Sequence, residues 1–171
     1  MADKQLYLLA TFDEETTRRM ADLYDLLKTA GFTGTQTQGI PHHLTMASFD
    51  SAREDEINRM LRQVCGTTPC FSLPFHHIGL FRLKVLFIAP DVNAELLSLH
   101  HKLSLGQADG ENGWSAHATL LIDESEEILK ALPIVADHFK GFTAEVKSVS
   151  LYELFPTHVI AEYPLQAIRE E

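Results

Sequence analysis

Apolar runs alternate with amphipathic segments along the whole chain. Residues 4–12 (KQLYLLATF) form an apolar run that predicts a buried strand. In residues 13–31, Met20, Leu23, Leu26 and Leu27 recur at helical spacing, which predicts an amphipathic helix. The same alternation continues after it. It predicts strands at 43–49, 71–81, 84–90, 117–123, 142–154 and 158–165, and helices at 50–66, 91–106 and 124–141.

The order of these predicted elements repeats. Each half of the chain runs strand, helix, loop, strand and helix, and the offset between equivalent elements is nearly constant. Such a repeat indicates an internal duplication, and two copies are too few for a solenoid. We therefore expect an α+β protein in which residues 1–171 form a single bilobal domain. Its lobes, contributed by residues 1–82 and 83–171, would face each other across a cleft.

Composition and charge narrow the function classes. The 171 residues are 45% hydrophobic and 22% charged, as in a soluble globular protein, and the formal net charge is −10. A protein that holds long nucleic acid by its phosphates needs a basic face, so this charge argues against such a partner. The chain shows neither a signal peptide nor the run of about 18 apolar residues that a membrane span requires. We expect a cytoplasmic monomer that binds no membrane, with Cys65 and Cys70 as reduced thiols.

Two short sequences carry the candidate chemistry. His-x-Thr occurs as HLT at 43–45 and as HAT at 117–119, at equivalent places in the two halves and at the start of predicted strands. Residues i and i+2 of a strand point to the same face, so each histidine projects beside its threonine. If the halves are related by pseudo-symmetry, two imidazoles and two hydroxyls meet in the cleft.

That set of side chains suits the cleavage of a phosphodiester. In-line displacement at phosphorus needs a base for the attacking oxygen and an acid for the leaving oxygen. Imidazole titrates near neutral pH, so His43 and His117 can share these two roles. The hydroxyls of Thr45 and Thr119 can donate hydrogen bonds to the non-bridging phosphate oxygens. This chemistry requires no metal ion.

Several other residues could have either a functional or a purely structural role. Three His-His pairs suggest zinc, and they lie at 42–43, 76–77 and 100–101. Adjacent strand residues point to opposite faces, however, so we expect His42 to face away from His43, and we expect neither a metal nor another cofactor. His76 or His77 is a further candidate for the cleft. Trp114, in the Gly-rich segment before the second motif, could stack on a nucleobase or serve as an ordinary rim residue.

The residues also resemble a known family. HLTM (43–46) and HATL (117–120) match the two H-x-[ST]-x motifs of the 2H phosphoesterases, the superfamily of the bacterial 2′-5′ RNA ligase-like proteins and cyclic phosphodiesterases. The segment 71–90 is similar to the central strand pair of that family, and the segment 149–165 is similar to its closing hairpin. The likeness extends over nearly the whole chain.

The resemblance implies a pseudo-two-fold, bilobal 2H phosphoesterase fold, with duplicated units, antiparallel sheets lining a central cleft and helices outside. It implies metal-independent action on 2′,3′-cyclic phosphates, ADP-ribose cyclic phosphates or 2′-5′ linkages in RNA, and we expect hydrolysis of a 2′,3′-cyclic phosphate or 2′-5′ phosphodiester of a small nucleotide or RNA end. His43 and His117 would be the acid–base pair, and Thr45 and Thr119 would hold the phosphate. Many members carry an arginine in the first strand, which residues 4–12 lack, and this departure argues against tRNA-type substrates.

Two alternatives stay open. One is an RNA end-processing activity, either a 2′-5′ RNA ligase or an exonuclease. The other is a nucleotide-binding protein that kept the cleft without turnover. The motif pattern does not distinguish which histidine is the acid and which is the base. It also does not distinguish release of a 2′-phosphate from release of a 3′-phosphate.

Overall fold

A computed structural model describes residues 4–107 and 113–168, and strands and helices alternate along them much as the hydrophobic pattern predicts. The strands are β1 (Gln5–Phe12), β2 (Leu44–Asp50), β3 (Phe71–Phe81), β4 (Val85–Pro90), β5 (Ala118–Ile122), β6 (Phe142–Leu154) and β7 (His158–Pro164). The helices are α1 (Glu14–Thr29), α2 (Glu54–Gly66), α3 (Ala94–Leu103) and α4 (Ser125–His138). A short 3-10 turn, Ser51–Arg53, precedes α2.

The strands form one open antiparallel sheet in the order β2-β1-β6-β3-β4-β5, and β7 also pairs with β6. β6 is 13 residues long and uses both of its edges. One edge pairs with β1 along residues 146–154, and the other pairs first with β3 at 142–146 and then with β7 at 148–153. We call β2-β1-β6-β7 the first half-sheet, and β5-β4-β3 with the start of β6 the second. The predicted α+β class with antiparallel sheets is confirmed, and the two half-sheets are continuous through β6.

The repeat seen in the sequence is also present in the strand pairing. The series β1-α1-β2-α2 and β4-α3-β5-α4 have the same order, and the motif strands β2 and β5 lie at the two ends of the sheet. Each motif strand carries one extra residue in its ladder, Met46 in β2 and Leu120 in β5. These residues directly follow Thr45 and Thr119. The two halves therefore share a β-bulge at the same motif position, a feature that re-aims nearby side chains.

The hydrophobic core lies between the sheet and the helices. The helices bury residues at helical spacing: Met20, Leu23 and Leu27 in α1, Ile57, Leu61 and Cys65 in α2, Leu96, Leu99 and Leu103 in α3, and Ile128, Ala131 and Val135 in α4. α1 packs against α4, and α2 packs against α3, so each helix pair joins elements from both halves of the chain. Cys65 and Cys70 are buried free thiols, and burial raises the pKa of Cys65 to about 11.

Candidate active site

Both motif histidines stand one residue before their strands, and their rings are held in the same way. The Nδ1–H of His43 donates to the carbonyl oxygen of Pro41 at 2.7 Å, and that of His117 donates to the carbonyl oxygen of Ser115 at 2.7 Å. A carbonyl oxygen can only accept, so Nδ1 carries the proton in each neutral ring. The free Nε2 of each ring is therefore the nitrogen that can exchange a proton with a ligand.

The two motif threonines occupy equivalent places in their ladders. Thr45 pairs with Leu9 of β1, and Thr119 pairs with Phe87 of β4. The threonines and the motif histidines are half-buried, whereas the residues that alternate with them in both motifs are buried. Each histidine and its threonine thus share one face of the strand, as the period of two predicts.

A cavity of about 320 Å³ opens on this face. His43, Thr45 and Thr119 line it, so the structure brings three of the four predicted site residues to one cavity. The other lining residues are mostly aromatic, aliphatic or amide-bearing, and they include Tyr7, Tyr24, Gln36, Gln38, His42 and Phe155. Among the described residues, none that lines the cavity is Lys, Arg, Asp or Glu. β1 contributes Tyr7 and Leu9 to this lining.

His117 is not among the lining residues, and two phenylalanines fix its ring beside them. The ring of His117 meets Phe81 edge-on with centroids 4.6 Å apart and lies 5.1 Å from the ring of Phe87. Phe87 in turn lies across Gly79, where a Cβ atom would come within 2.3 Å of the ring. The missing side chain at Gly79 lets Phe87 reach its place against His117. Sequence reasoning missed this support, because no local pattern links Gly79 to a residue of β5.

The charges of the imidazoles at this end of the cavity are coupled. Burial lowers the pKa of His43, a hydrogen bond to the carbonyl of Pro41 opposes that effect, and positive charge on His42 or His117 lowers the pKa further. Burial also lowers the pKa of His117, against the opposing bond to Ser115. Both motif rings are therefore shifted toward their neutral forms, and a proton on His117 disfavours a proton on His43.

His42 occupies a different place from the predicted one. The alternation of strand residues predicts that it faces away from His43, but both histidines line the cavity. The prediction is wrong because β2 begins at Leu44, so residues 42 and 43 precede the regular pleat. The ring of His42 meets Tyr24 of α1 edge-on with centroids 5.7 Å apart. Burial lowers the pKa of His42, and the nearby carboxylate of Asp25 opposes that effect.

The loop after α1 joins the cavity wall to the opposite motif strand. The N–H of Thr35 donates to the carbonyl of Ile122 at 2.7 Å, and the N–H of Ile122 donates to Oε1 of Gln36 at 3.1 Å. Gly34 has a φ of +70°, and a Cβ there would lie 2.9 Å from the carbonyl oxygen of Ile122. A glycine is thus required both for the backbone conformation and for the close approach. The loop of the first repeat therefore fixes the position of β5.

Trp114, predicted as a candidate for base stacking, lies against His100 and is not among the cavity-lining residues. The two rings stack with centroids 3.7 Å apart and an interplanar angle of 7°. The indole N–H of Trp114 donates to the carbonyl of Thr45 at 2.9 Å, and Nδ1–H of His100 donates to the carbonyl of Met46 at 2.9 Å. β2 is an edge strand, so these bonds satisfy carbonyls that its ladder leaves free at the bulge.

His76 and His77 lie outside the cavity lining and converge on one carboxylate. Nδ1 of His76 is 2.7 Å from Oδ2 of Asp91, and Nε2 of His77 is 2.6 Å from Oδ1 of Asp91. The expectation that adjacent strand residues diverge is wrong here, because the β3–β4 register shifts between Phe75 and His77. Within residues 4–107 and 113–168, no group of three or more His, Cys, Asp or Glu side chains could hold a metal ion.

Paired His-x-Thr strands beside one cavity of an antiparallel α+β fold define the class of the 2H phosphoesterases. A family model described as the 2′-5′ RNA ligase superfamily matches residues 14–155. The chain therefore belongs to the 2′-5′ RNA ligase superfamily, which confirms the resemblance noted in the sequence.

Several solved structures share the fold at low sequence identity. Escherichia coli LigT in complex with 3′-AMP is 17% identical, with 95% of this chain and 98% of that chain covered and a TM-score of 0.66. A protein described as a phosphoesterase is 16% identical, with 96% and 99% covered and a TM-score of 0.65. TT0787 of Thermus thermophilus is 13% identical, with 96% and 100% covered and a TM-score of 0.65. At these identities the likeness establishes the fold. A search of curated proteins found no match.

Over the part of the chain that the structure describes, none of the helices is both long and apolar enough to cross a bilayer.

Proposed function

We propose that the protein is a metal-independent phosphoesterase that hydrolyses a 2′,3′-cyclic phosphate or a 2′-5′ phosphodiester of a small nucleotide or RNA end. The observation that carries this proposal is that His43 and His117 make the same hydrogen bond and are therefore held in the same tautomer. Each donates its Nδ1–H to a backbone carbonyl at 2.7 Å, and its Nε2 has no hydrogen-bond partner among the described residues. A base and an acid of the same chemical type are what a displacement at phosphorus needs.

In the proposed hydrolysis of a cyclic phosphate, one neutral imidazole takes a proton from water as the water oxygen bonds to phosphorus. The bond from phosphorus to the 2′ or 3′ oxygen breaks, and the other imidazole, protonated at Nε2, gives its proton to that oxygen. The product is a phosphomonoester beside a free hydroxyl. The hydroxyls of Thr45 and Thr119 donate to the non-bridging oxygens, where negative charge accumulates in the transition state.

The dimensions and charge of the cavity favour a small substrate. A volume of about 320 Å³ is at the lower end of the range for small-molecule sites. None of the lining residues that the structure describes is Lys or Arg, so only the histidines can add positive charge there, and a single phosphate is better accommodated than several. LigT, whose fold this chain shares, has been solved in complex with 3′-AMP, a nucleoside monophosphate and therefore a ligand of the proposed size class.

The direct test is turnover of 2′,3′-cyclic AMP and of a 2′-5′ dinucleotide in EDTA, followed by phosphorus NMR. We expect conversion to a monophosphate by the wild-type protein, and none above background with His43→Ala or His117→Ala. Saturable binding without turnover by the wild type would overturn hydrolysis in favour of the nucleotide-binding alternative. Equal turnover by the alanine variants would remove the two histidines from the mechanism.

The RNA ligase alternative is favoured by the description of the family that matches the chain. In-line displacement is reversible, so a hydroxyl of a second RNA end could replace water as the nucleophile. Incubation of the protein with two half-molecules, one ending in a 2′,3′-cyclic phosphate and one beginning with a 5′-hydroxyl, distinguishes the two directions. We expect hydrolysis of the cyclic end to exceed joining, because a net charge of −10 disfavours the approach of a second RNA strand.

A further inference from the structure

Most polar atoms in the cavity wall are already paired with one another. The hydroxyl of Tyr24 donates to Oε1 of Gln38 at 2.8 Å and accepts from Nε2 of Gln36 at 3.3 Å. Nε2 of Gln38 donates to the carbonyl of Gln36 at 3.1 Å, and Oε1 of Gln36 accepts from the backbone of β5. The hydroxyl of Tyr7 donates to Oε1 of Gln5 at 2.9 Å. These side chains therefore shape the wall, and a ligand finds few free donors or acceptors on them.

His42 differs from its neighbours in this respect. Its ring lines the cavity and contacts Tyr24, yet neither ring nitrogen has a hydrogen-bond partner among the described residues. No side-chain nitrogen or oxygen that is fully buried lacks a partner in residues 4–107 and 113–168, so the unpaired nitrogens of His42 are accessible from outside the protein. Apart from the proposed catalytic groups, His42 offers a ligand an imidazole whose two nitrogens are both uncommitted.

We propose that His42 is a substrate-specificity residue that hydrogen-bonds the heteroaromatic base of a nucleotide whose phosphate lies at His43, Thr45 and Thr119. The proposal rests on the proposed function for the place of the phosphate and goes beyond it in assigning the base subsite. Residues 42 and 43 are adjacent, and both rings line the same cavity. One ring serves the phosphate, and the other serves the group attached to it.

The chemistry of His42 fits a base better than a second phosphate. Burial lowers the pKa of His42, against the effect of Asp25, which favours the neutral ring at neutral pH, and the neutral ring presents one donor and one acceptor. The edges of nucleobases present the same combination. Flat apolar surface is available as well, because Phe155 lines the same cavity and is 62% exposed. Stacking of bases on aromatic side chains is a common mode of nucleotide recognition.

The test compares binding of a nucleotide and of a base-free phosphate by the full chain in EDTA. Titration calorimetry is done with adenosine 3′-monophosphate and with glycerol 2-phosphate, a secondary-alcohol phosphomonoester that lacks a base. The variant His42→Phe keeps the aromatic contact with Tyr24 and removes both nitrogens. The variant His42→Asn restores a donor and an acceptor. His101→Phe, at an exposed position of α3, is the matched control for loss of an imidazole.

We expect His42→Phe to weaken binding of adenosine 3′-monophosphate about 5-fold to 10-fold, the value of one lost hydrogen bond. Binding of glycerol 2-phosphate should change less than about 2-fold, His42→Asn should recover part of the loss, and His101→Phe should match the wild type. Equal weakening of both ligands, or no weakening of either, overturns the proposal. Because binding is measured, a protein that binds the nucleotide and never turns over a cyclic phosphate refutes the proposed function and leaves the role of His42 standing.

Discussion

The indole N–H of Trp114 donates to the backbone carbonyl of Thr45 across an interval of 69 residues in the chain. This bond attaches the segment before the second motif to the strand of the first motif. The stack of Trp114 on His100 holds the indole in place, and His100 itself bonds the next carbonyl of β2. Residues that supply no proton to the proposed reaction thus bond the backbone of Thr45, which we propose to hold the phosphate.

The variant Trp114→Phe tests this attachment, because it keeps a ring against His100 and removes the N–H. We expect the free energy of unfolding to fall by about 1 kcal/mol, since the carbonyl of Thr45 loses its protein partner. We also expect kcat/KM for 2′,3′-cyclic AMP to fall about 3-fold to 10-fold. Urea unfolding and initial rates measure the two effects. A loss of stability with unchanged kcat/KM would show that the bond does not position Thr45.

Removing the proposed acid and base should affect turnover far more than binding. Each proton transfer is worth about 100-fold to 10,000-fold, so His43→Ala and His117→Ala should each lower kcat by at least about 100-fold. The double variant should be little worse than either single one, because the two rings act as a unit. Single-turnover kinetics and the affinity for adenosine 3′-monophosphate check these expectations. Strictly multiplicative losses would contradict a shared mechanism.

The pH profile of kcat/KM should be a bell centred on the acid side of the usual histidine value. The base must be neutral, so activity falls as pH drops through its pKa, and the acid must be protonated, so activity falls as pH rises through its pKa. Burial lowers the pKa of both His43 and His117. Both limbs therefore move down, and we expect the optimum below about pH 6.5. Initial rates measured between about pH 4.5 and about pH 8.5 locate the optimum, and the buffers are kept at constant ionic strength because salt screens the interactions between charges.

The pH profile of a His42 variant shows which limb of the bell reports the pKa of His43. Positive charge on His42 lowers the pKa of His43, and His42→Phe removes that charge. We expect one limb of the bell to move to higher pH in this variant and the other to stay in place. Movement of both limbs together would contradict a local charge effect.

Gly79 is the position where a single methyl group should disturb the second motif. A Cβ at Gly79 would lie 2.3 Å from the ring of Phe87, which must then move away from His117. We expect Gly79→Ala to lower the free energy of unfolding by about 1–3 kcal/mol, as overpacking does, and to lower kcat. At Gly66 a Cβ meets nothing within 4 Å, so Gly66→Ala is the matched control. Thermal melts and kcat distinguish the two variants. An unchanged kcat in Gly79→Ala would contradict the inference that Phe87, packed over Gly79, holds the ring of His117 in place.

The strands, the helices and the two motifs could be predicted because they depend on local periodicity. Buried Leu44 and Met46 alternate with half-buried His43 and Thr45, and this pattern is visible in any window of the sequence. The family follows from the same motifs. What local periodicity cannot show is where a strand begins, which is why the direction of His42 was predicted wrongly.

The supports of the site could not be predicted, because they join distant parts of the chain. The loop at residues 33–40 reads as polar and Gly-rich, and only its bonds to Ile122 show that it builds a cavity wall. The bulges at Met46 and Leu120 are invisible for a similar reason, since one extra residue in a ladder is defined by the partner strand. His76 and His77 converge on Asp91 through another such irregularity.

β6 pairs along one edge with β1 and along the other with β3 and then β7, so one continuous backbone carries both half-sheets. A rotation of one half-sheet against the other would break ladder bonds in the middle of that strand. We therefore expect the relative positions of His43 and His117 to be set when the chain folds, before any ligand arrives. Discrimination among ligands then relies on fit to a preformed width, and free and liganded crystals should superpose without domain closure.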